Sequence, residues 1–213
     1  MQQMEAQLLS KGNIMSKVLL IETSPRGTDS VSKKAGRHLI EQLRKKGPIE
    51  LIERDLQKEI LPHVDSLTVS AYFTPTNLLT PEQKKAIERS DRLVDELLGV
   101  DTLVISTPMW NFGVPSSLKA WIDHIVRAGR TFRFTENGLE GMLKGKKVYV
   151  VVSSGSVFST GAFQAFDHVA PYFKSVFGFM GVLDVELIRV EGTNTPEGAE
   201  VAYSNAIAAI EAL

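Results

Sequence analysis

The amino-acid sequence predicts an α/β fold: a doubly wound, five-stranded parallel sheet of order 2-1-3-4-5 with helices on both faces. Three observations carry this. Short apolar runs ending in turn residues read as buried strands. They alternate with segments whose apolar residues recur at helical spacing. No internal repeat, low-complexity tract or linker marks a second domain.

Taken in order, Lys17–Glu22 (KVLLIE) is the first strand. From Ser30 to Lys46, Val31, Ala35, Leu39, Ile40 and Leu43 recur at helical spacing, and Gly47-Pro48 ends that helix. Ile49–Glu53 is the second strand. Thr80 as N-cap, Pro81 at the first helical position and Gln83 at the capping-box position start a helix running toward Leu98. Asp101–Ser106 is the third strand, and Pro115 to Val126 is helical, with Leu118, Trp121, Ile122 and Ile125 on one face. Lys147–Val152 is the fourth strand. Gly161 to Phe179 is expected to be helical, Asp184–Val190 to be the fifth strand and Pro196 to Leu213 a closing helix. The stretches Asp55 to Leu79 and Arg127 to Gly145 are too long for simple connections, and loops of that length are usually functional or interfacial.

Composition narrows the chemistry. The 213 residues suit one domain, expected over residues 15–213. Apolar residues make up 43% and charged residues 23%, with mean hydropathy -0.02, enough for a sizeable core. Lys+Arg is 24 and Asp+Glu is 25, so a net charge of -1 gives no footprint for nucleic acid or an anionic membrane. The absence of cysteine excludes disulfides, zinc–thiolate and iron–sulfur sites and thiol nucleophiles, and with them the small α/β phosphatases that attack through cysteine. His38, His63, His124 and His168 sit far apart, so no histidine metal site is expected. No run of about 18 apolar residues suggests a membrane span. Residues 1–14 lack the features of a signal peptide. They are expected to form a flexible extension, with Met15 an alternative start, and the location expected by default is cytoplasmic.

In a doubly wound sheet, ligands bind beyond the C-terminal strand ends. Three loops there hold the candidate residues. Thr23–Ser32 (TSPRGTDSVS) is neither GxGxxG nor GxxxxGK[ST], which weakens dinucleotide and NTPase readings. Its serines at a helix N-terminus suit an anion, because N–H groups and hydroxyls face the ligand. Helix capping and turn propensity explain the same residues equally well. Pro108–Asp123 (PMWNFGVPSSLKAWID) places Met, Trp, Asn and Phe in one loop, which suits a planar ligand or a loop tucked into a core or interface. Ser153–Ser159 (SSGSVFS) has Gly155 for close backbone approach to a ligand, or is a plain strand-to-helix turn.

Two blocks, PMWNFGVPSSLKAWID and RAGRTFRFTENGLEGMLKGKK, are more specific. With them the chain resembles the FMN-dependent NADH:quinone oxidoreductases known as azoreductases, of flavodoxin-like fold, from about Met15 to Leu213. The resemblance implies FMN as cofactor, NADH or NADPH as donor, and quinones and aromatic azo compounds as acceptors in a ping-pong cycle. It implies a homodimer with each flavin near the subunit interface. By similarity, Ser24, Ser30, Val31 and Ser32 hold the FMN phosphate. Pro108, Met109, Trp110, Asn111 and Phe112 lie along the ring, and Ser153, Ser154, Gly155 and Ser156 meet its pyrimidine side. Phe132, Phe134 and Phe158 are candidates for lining the acceptor slot. The chain departs from the family at the last loop, where many relatives have Ser-Arg-Gly-Gly; Ser154 and Ser156 stand at the arginine and second glycine. Trp110 stands where tyrosine is commoner.

No side chain accepts a hydride, so two-electron chemistry must reside on a cofactor. The competing classes fit less well. Flavodoxin-type electron carriers tend to be shorter and strongly acidic. A phosphoryl-transfer receiver needs clustered acids at the strand ends, where this chain has Glu22-Thr23-Ser24 and Ser106-Thr107-Pro108.

Overall fold

The computed structural model describes residues 15–213, so the expected N-terminal extension, residues 1–14, lies outside the described residues. In chain order the elements are β1 (Ser16–Glu22), α1 (Val31–Lys46), β2 (Ile49–Asp55), α2 (Ser66–Tyr72), α3 (Pro81–Leu98), β3 (Thr102–Pro108) and α4 (Ser116–Ile125). Then follow β4 (Phe132–Thr135), β5 (Gly138–Gly141), β6 (Lys147–Ser154), α5 (Val169–Phe179), β7 (Asp184–Glu191) and α6 (Pro196–Glu211). The five long strands form one parallel sheet of order β2-β1-β3-β6-β7, the expected 2-1-3-4-5 pattern. β4 and β5 make a separate antiparallel hairpin.

Side-chain alternation along the strands splits the core into two layers. Leu19 and Ile21 of β1, with Ile105 and Val150, pack against α3, α4 and α5 through Leu93, Trp121, Phe173 and Phe177. Val18 and Leu20, with Val104 and Val151, pack against α1 and α6 through Leu39, Ala202 and Ala206. Helices thus cover both faces, as a parallel sheet requires. Gly36 sets how closely α1 lies on β3: a Cβ there would stand 1.8 Å from the Ser106 hydroxyl oxygen. That hydroxyl is buried without a hydrogen-bond partner among the described residues.

Several expected elements hold. Thr80 caps α3, and its hydroxyl and the Gln83 side chain form a reciprocal capping box. Leu118, Trp121, Ile122 and Ile125 are all buried. Other elements differ from expectation. The helix expected from Gly161 to Phe179 is broken: Gly161–Phe166 is a 3-10 turn, and α5 begins only at Val169. The Asp167 carboxylate accepts the N–H groups of Val169 (2.9 Å) and Ala170 (3.1 Å), which starts a new helix there. Helix α2 lies in a stretch with no helical period. Asp65 caps it by accepting from the Thr68 N–H at 2.8 Å, and the rest is tertiary: the Tyr72 ring packs under the Arg127 guanidinium at 3.9 Å and its hydroxyl meets His124 Nδ1 at 3.2 Å. The β4–β5 hairpin docks through two glycines. A Cβ at Gly141 would stand 2.1 Å from the Gly181 nitrogen, so only glycine allows this approach.

Candidate functional site

The C-terminal ends of β1, β3, β6 and β7 gather four loops around two adjoining hollows of about 260 Å3 each. Met109, Ser154 and Gly155 line both. The first hollow also holds Ser24, Arg26, Ser30, Val31, Pro108, Trp110, Ser153, Thr193 and Asn194. The second adds Asn111, Phe112, Ser156 and Phe158. A larger hollow of about 450 Å3 lies on the β2 and α4 side of Trp110, and Trp110 is the only predicted site residue in it.

The first hollow ends on the start of α1. Ser30 is the N-cap: its Oγ accepts the Lys33 N–H at 3.3 Å and lies 3.2 Å from the Ser32 Oγ. Ser24, Ser30 and Ser32 are all buried. The N–H groups of Val31 and Ser32 have no acceptor among the described residues. Buried hydroxyls and free amides at a helix N-terminus suit an anion. The nearest lysine does not serve it. Lys33 Nζ is 2.9 Å from Asp55 and 3.7 Å from Glu22, and Arg37 pairs with Glu22 (2.9 Å) and Glu53 (2.9 Å). Those pairs hold the start of α1 against β1 and β2. Arg26 is exposed at the rim.

These ion pairs give a testable acid response. Burial raises the Asp55 pKa, but the Lys33 hydrogen bond and the Gln57 N–H outweigh it, so the carboxyl sits below its usual range. A depressed folded pKa contributes stability that is present above the unfolded value, near 3.9, and lost as pH falls through the folded value. Urea midpoints measured between about pH 5 and pH 3 should therefore fall for the wild type. They should fall less steeply for Lys33→Met; an equal slope would remove this pair from the acid response.

The second hollow is framed by a strained turn. Trp110 and Gly113 exchange both backbone hydrogen bonds (2.9 and 3.0 Å) around Asn111 at φ 47° and Phe112 at φ 69°. Asparagine tolerates this left-handed region, but phenylalanine there costs on the order of 1–3 kcal/mol. The His168 N–H donates to the Phe112 carbonyl at 3.2 Å and steadies the turn. The Phe112 ring stands 6.1 Å from Phe158, edge-on, and 5.4 Å from Phe166. Met109 N–H donates to the Ser153 carbonyl at 2.7 Å, joining the β3 and β6 loops. The Ser154 carbonyl accepts from the Gly192 and Thr193 N–H groups (3.0 and 3.1 Å) and the Thr193 hydroxyl (3.1 Å), joining β7. At Gly155 a Cβ would meet Asn194 Oδ1 at 2.1 Å, so glycine there lets the Asn194 side chain lie against this loop. No charged side chain lines the second hollow.

The structure therefore brings the three predicted loops together. Ser32 lies fully buried behind Ser30 rather than on the hollow's surface. Phe158 joins the second hollow, but Phe132 and Phe134 do not border either one. Phe132 packs on Phe179 at 4.6 Å, and Phe134 stands largely exposed on the hairpin. Thr193 and Asn194, after β7, were missing from the predicted set. The rule that ligands sit beyond strand ends applied to that loop as well. Among the described residues no group of three His, Cys, Asp or Glu side chains could hold a metal, and no helix is long and apolar enough to cross a membrane.

The flavodoxin-like fold family model matches residues 16–213. An FMN-dependent NADH:quinone oxidoreductase of Rhizobium leguminosarum bv. trifolii is 47% identical over 194 residues, 90% of this chain and 95% of that one. This chain belongs to the FMN-dependent NADH:quinone oxidoreductase family. A second family member, from Hahella chejuensis, is 44% identical over 197 residues, 91% of this chain and 97% of that one. Among solved structures, an azoreductase from Bacillus anthracis superposes with a TM-score of 0.84 at 29% identity, covering 93% of this chain and 100% of that one. An FMN-dependent NADH-azoreductase from the same species, in complex with FMN, superposes with a TM-score of 0.81 at 30% identity over 93% of this chain and 99% of that one. The five-stranded parallel sheet of order β2-β1-β3-β6-β7 agrees with a flavodoxin-like fold.

Proposed function

We propose that this chain binds FMN and uses NADH or NADPH to reduce quinones by two electrons and to cleave aromatic azo compounds to amines, in a ping-pong cycle in the cytoplasm. One observation carries the reading: a buried, serine-lined helix start opens directly into an uncharged, aromatic-edged hollow. An anion at one end and a flat ring at the other is the shape of a flavin mononucleotide. Ser30 and the free Val31 and Ser32 N–H groups would hold the phosphate, with Ser24 beside them. Met109 to Phe112 would lie along the ring, and Ser153 to Ser156 would meet its pyrimidine edge.

When bound, FMN supplies the two-electron acceptance that no side chain here provides. The protein positions and shields. Its apolar and aromatic side chains keep water from the flat face, and the Asn111 and Ser156 side chains offer polar contacts to ring edges. Donor and acceptor would occupy the same slot in turn. Phe132 and Phe134 lie away from their own chain's hollows, so a slot-lining role for them belongs to a homodimer in which the hairpin reaches a second copy.

An absorption spectrum followed by anaerobic NADH addition tests the reading. Purified protein is expected to carry about one FMN per chain, to bleach with NADH and to turn over a quinone. A protein that stays colourless and inactive after added FMN would overturn it.

A further inference from the structure

The segment between β6 and α5 carries Phe158, Phe163 and Phe166, and apolar packing alone holds it poorly. It forms only a 3-10 turn, and the Phe163 and Phe166 rings stand about half exposed. What ties it down is a set of buried charges. The Glu191 carboxylate, at the end of β7, accepts the N–H groups of Phe158 (3.0 Å) and Ser159 (3.3 Å) and the Ser159 hydroxyl (2.5 Å). Arg189 Nη1 donates to Glu191 at 3.0 Å, and its Nη2 donates to Asp167 at 2.5 Å. Asp167 in turn fixes the first turn of α5, and the next residue, His168, holds the Phe112 carbonyl. The Glu191 and Asp167 side chains are 9% and 8% exposed.

Burying two carboxylates around one guanidinium is costly unless every group is bonded. Here each is bonded, and the bonds end on the Phe158 and Ser159 amides and on the first turn of α5. Burial raises the Asp167 pKa, but Arg189 and the Ala170 and Val169 N–H groups outweigh that and hold its carboxyl below the usual range. Asp167 therefore carries its charge at neutral pH.

We propose that Glu191, backed by Arg189 and Asp167, is a positioning group that fixes Phe158, the aromatic of the second hollow against which the flat electron acceptor docks. The proposal rests on the functional reading above. It separates two tasks: the β1–α1 loop holds the phosphate end, whereas this clamp fixes the width of the acceptor slot. Its loss should act on acceptor binding and leave the phosphate end of the FMN site in place.

The test compares wild type, Glu191→Ala, Glu191→Gln and Phe158→Leu as full-length proteins. In Glu191→Ala, amide exchange across residues 157–168 of the flavin-free protein is expected to quicken about tenfold or more. With FMN saturating, the quinone KM is expected to rise about tenfold, with kcat within about twofold of wild type. Glu191→Gln keeps an acceptor for the N–H groups but loses the charge facing Arg189, and should fall between; it carries the test if the alanine variant does not fold. Phe158→Leu should raise the quinone KM without changing exchange, and combining it with Glu191→Ala should add little. Faster exchange with an unchanged quinone KM would overturn the acceptor role, as would unchanged exchange. Either outcome in a wild type that binds FMN and turns over leaves the functional reading standing. A wild type that does neither would overturn both.

Discussion

Ser30→Asp is expected to weaken FMN binding at least about a hundredfold while leaving riboflavin binding and thermal stability nearly unchanged. The contrast arises because Ser30 does two jobs. It caps α1 by accepting the Lys33 N–H, and it lines the first hollow beside the free Val31 and Ser32 amides. Aspartate is as good an N-cap as serine, so the helix start survives. Its carboxylate, however, would stand where the phosphate binds. Two like charges about 4 Å apart repel by about 4 kcal/mol at an effective dielectric near 20, and each 1.4 kcal/mol is a factor of ten. Riboflavin lacks the phosphate and feels none of this. Fluorescence titration of the flavin-free protein with both ligands reads the difference. Equal losses for the two flavins would show that the loop acts through packing, and unchanged FMN affinity would move the phosphate elsewhere.

Trp121→Ala is expected to cost about 3–5 kcal/mol of stability and to lower Tm by on the order of 10 °C. Trp121 is fully buried on α4, in the layer that joins α3, α4 and α5 to the sheet. Truncation removes the largest side chain of that layer and leaves a cavity that close packing cannot refill. Trp121→Phe should cost far less than the alanine change. The indole Nε1–H has no hydrogen-bond partner among the described residues, so its removal relieves an unpaired buried donor and offsets part of the lost packing. Urea unfolding of both variants checks this. A phenylalanine variant as unstable as the alanine one would mean that the N–H finds a partner in solution.

The features legible in the sequence are those written by local rules. The α3 start was readable because Thr80, Pro81 and Gln83 satisfy one another within four residues. The sheet strands were readable because a strand buried on both faces is apolar along its length. Helix α2 was not, because its SLTVSAY sequence is a weak helix former held by Tyr72 against Arg127 and His124, partners more than fifty residues away. The β4–β5 hairpin had a usable signal in Asn137-Gly138, with Gly138 at φ 101°, but its strands are too short and mixed to show a period of two. In the site, the loop residues were legible as a motif. The Glu191, Arg189 and Asp167 cluster was not, since its members meet only once β7 lies beside β6.

The order in which the ligand-facing loops leave the ribosome carries its own consequence. The first hollow takes residues from Ser24 at one end of the chain to Asn194 near the other, and its final wall hangs on an edge strand. A nascent chain can therefore build β1, β2 and β3 early, but the hollow is complete only once the loop after β7 has emerged and docked. Flavin captured only by the finished fold stabilises that fold alone, by RT ln(1 + [L]/Kd). Supply of the vitamin-derived ligand would then set how much of the newly made protein persists as well as how fast it works.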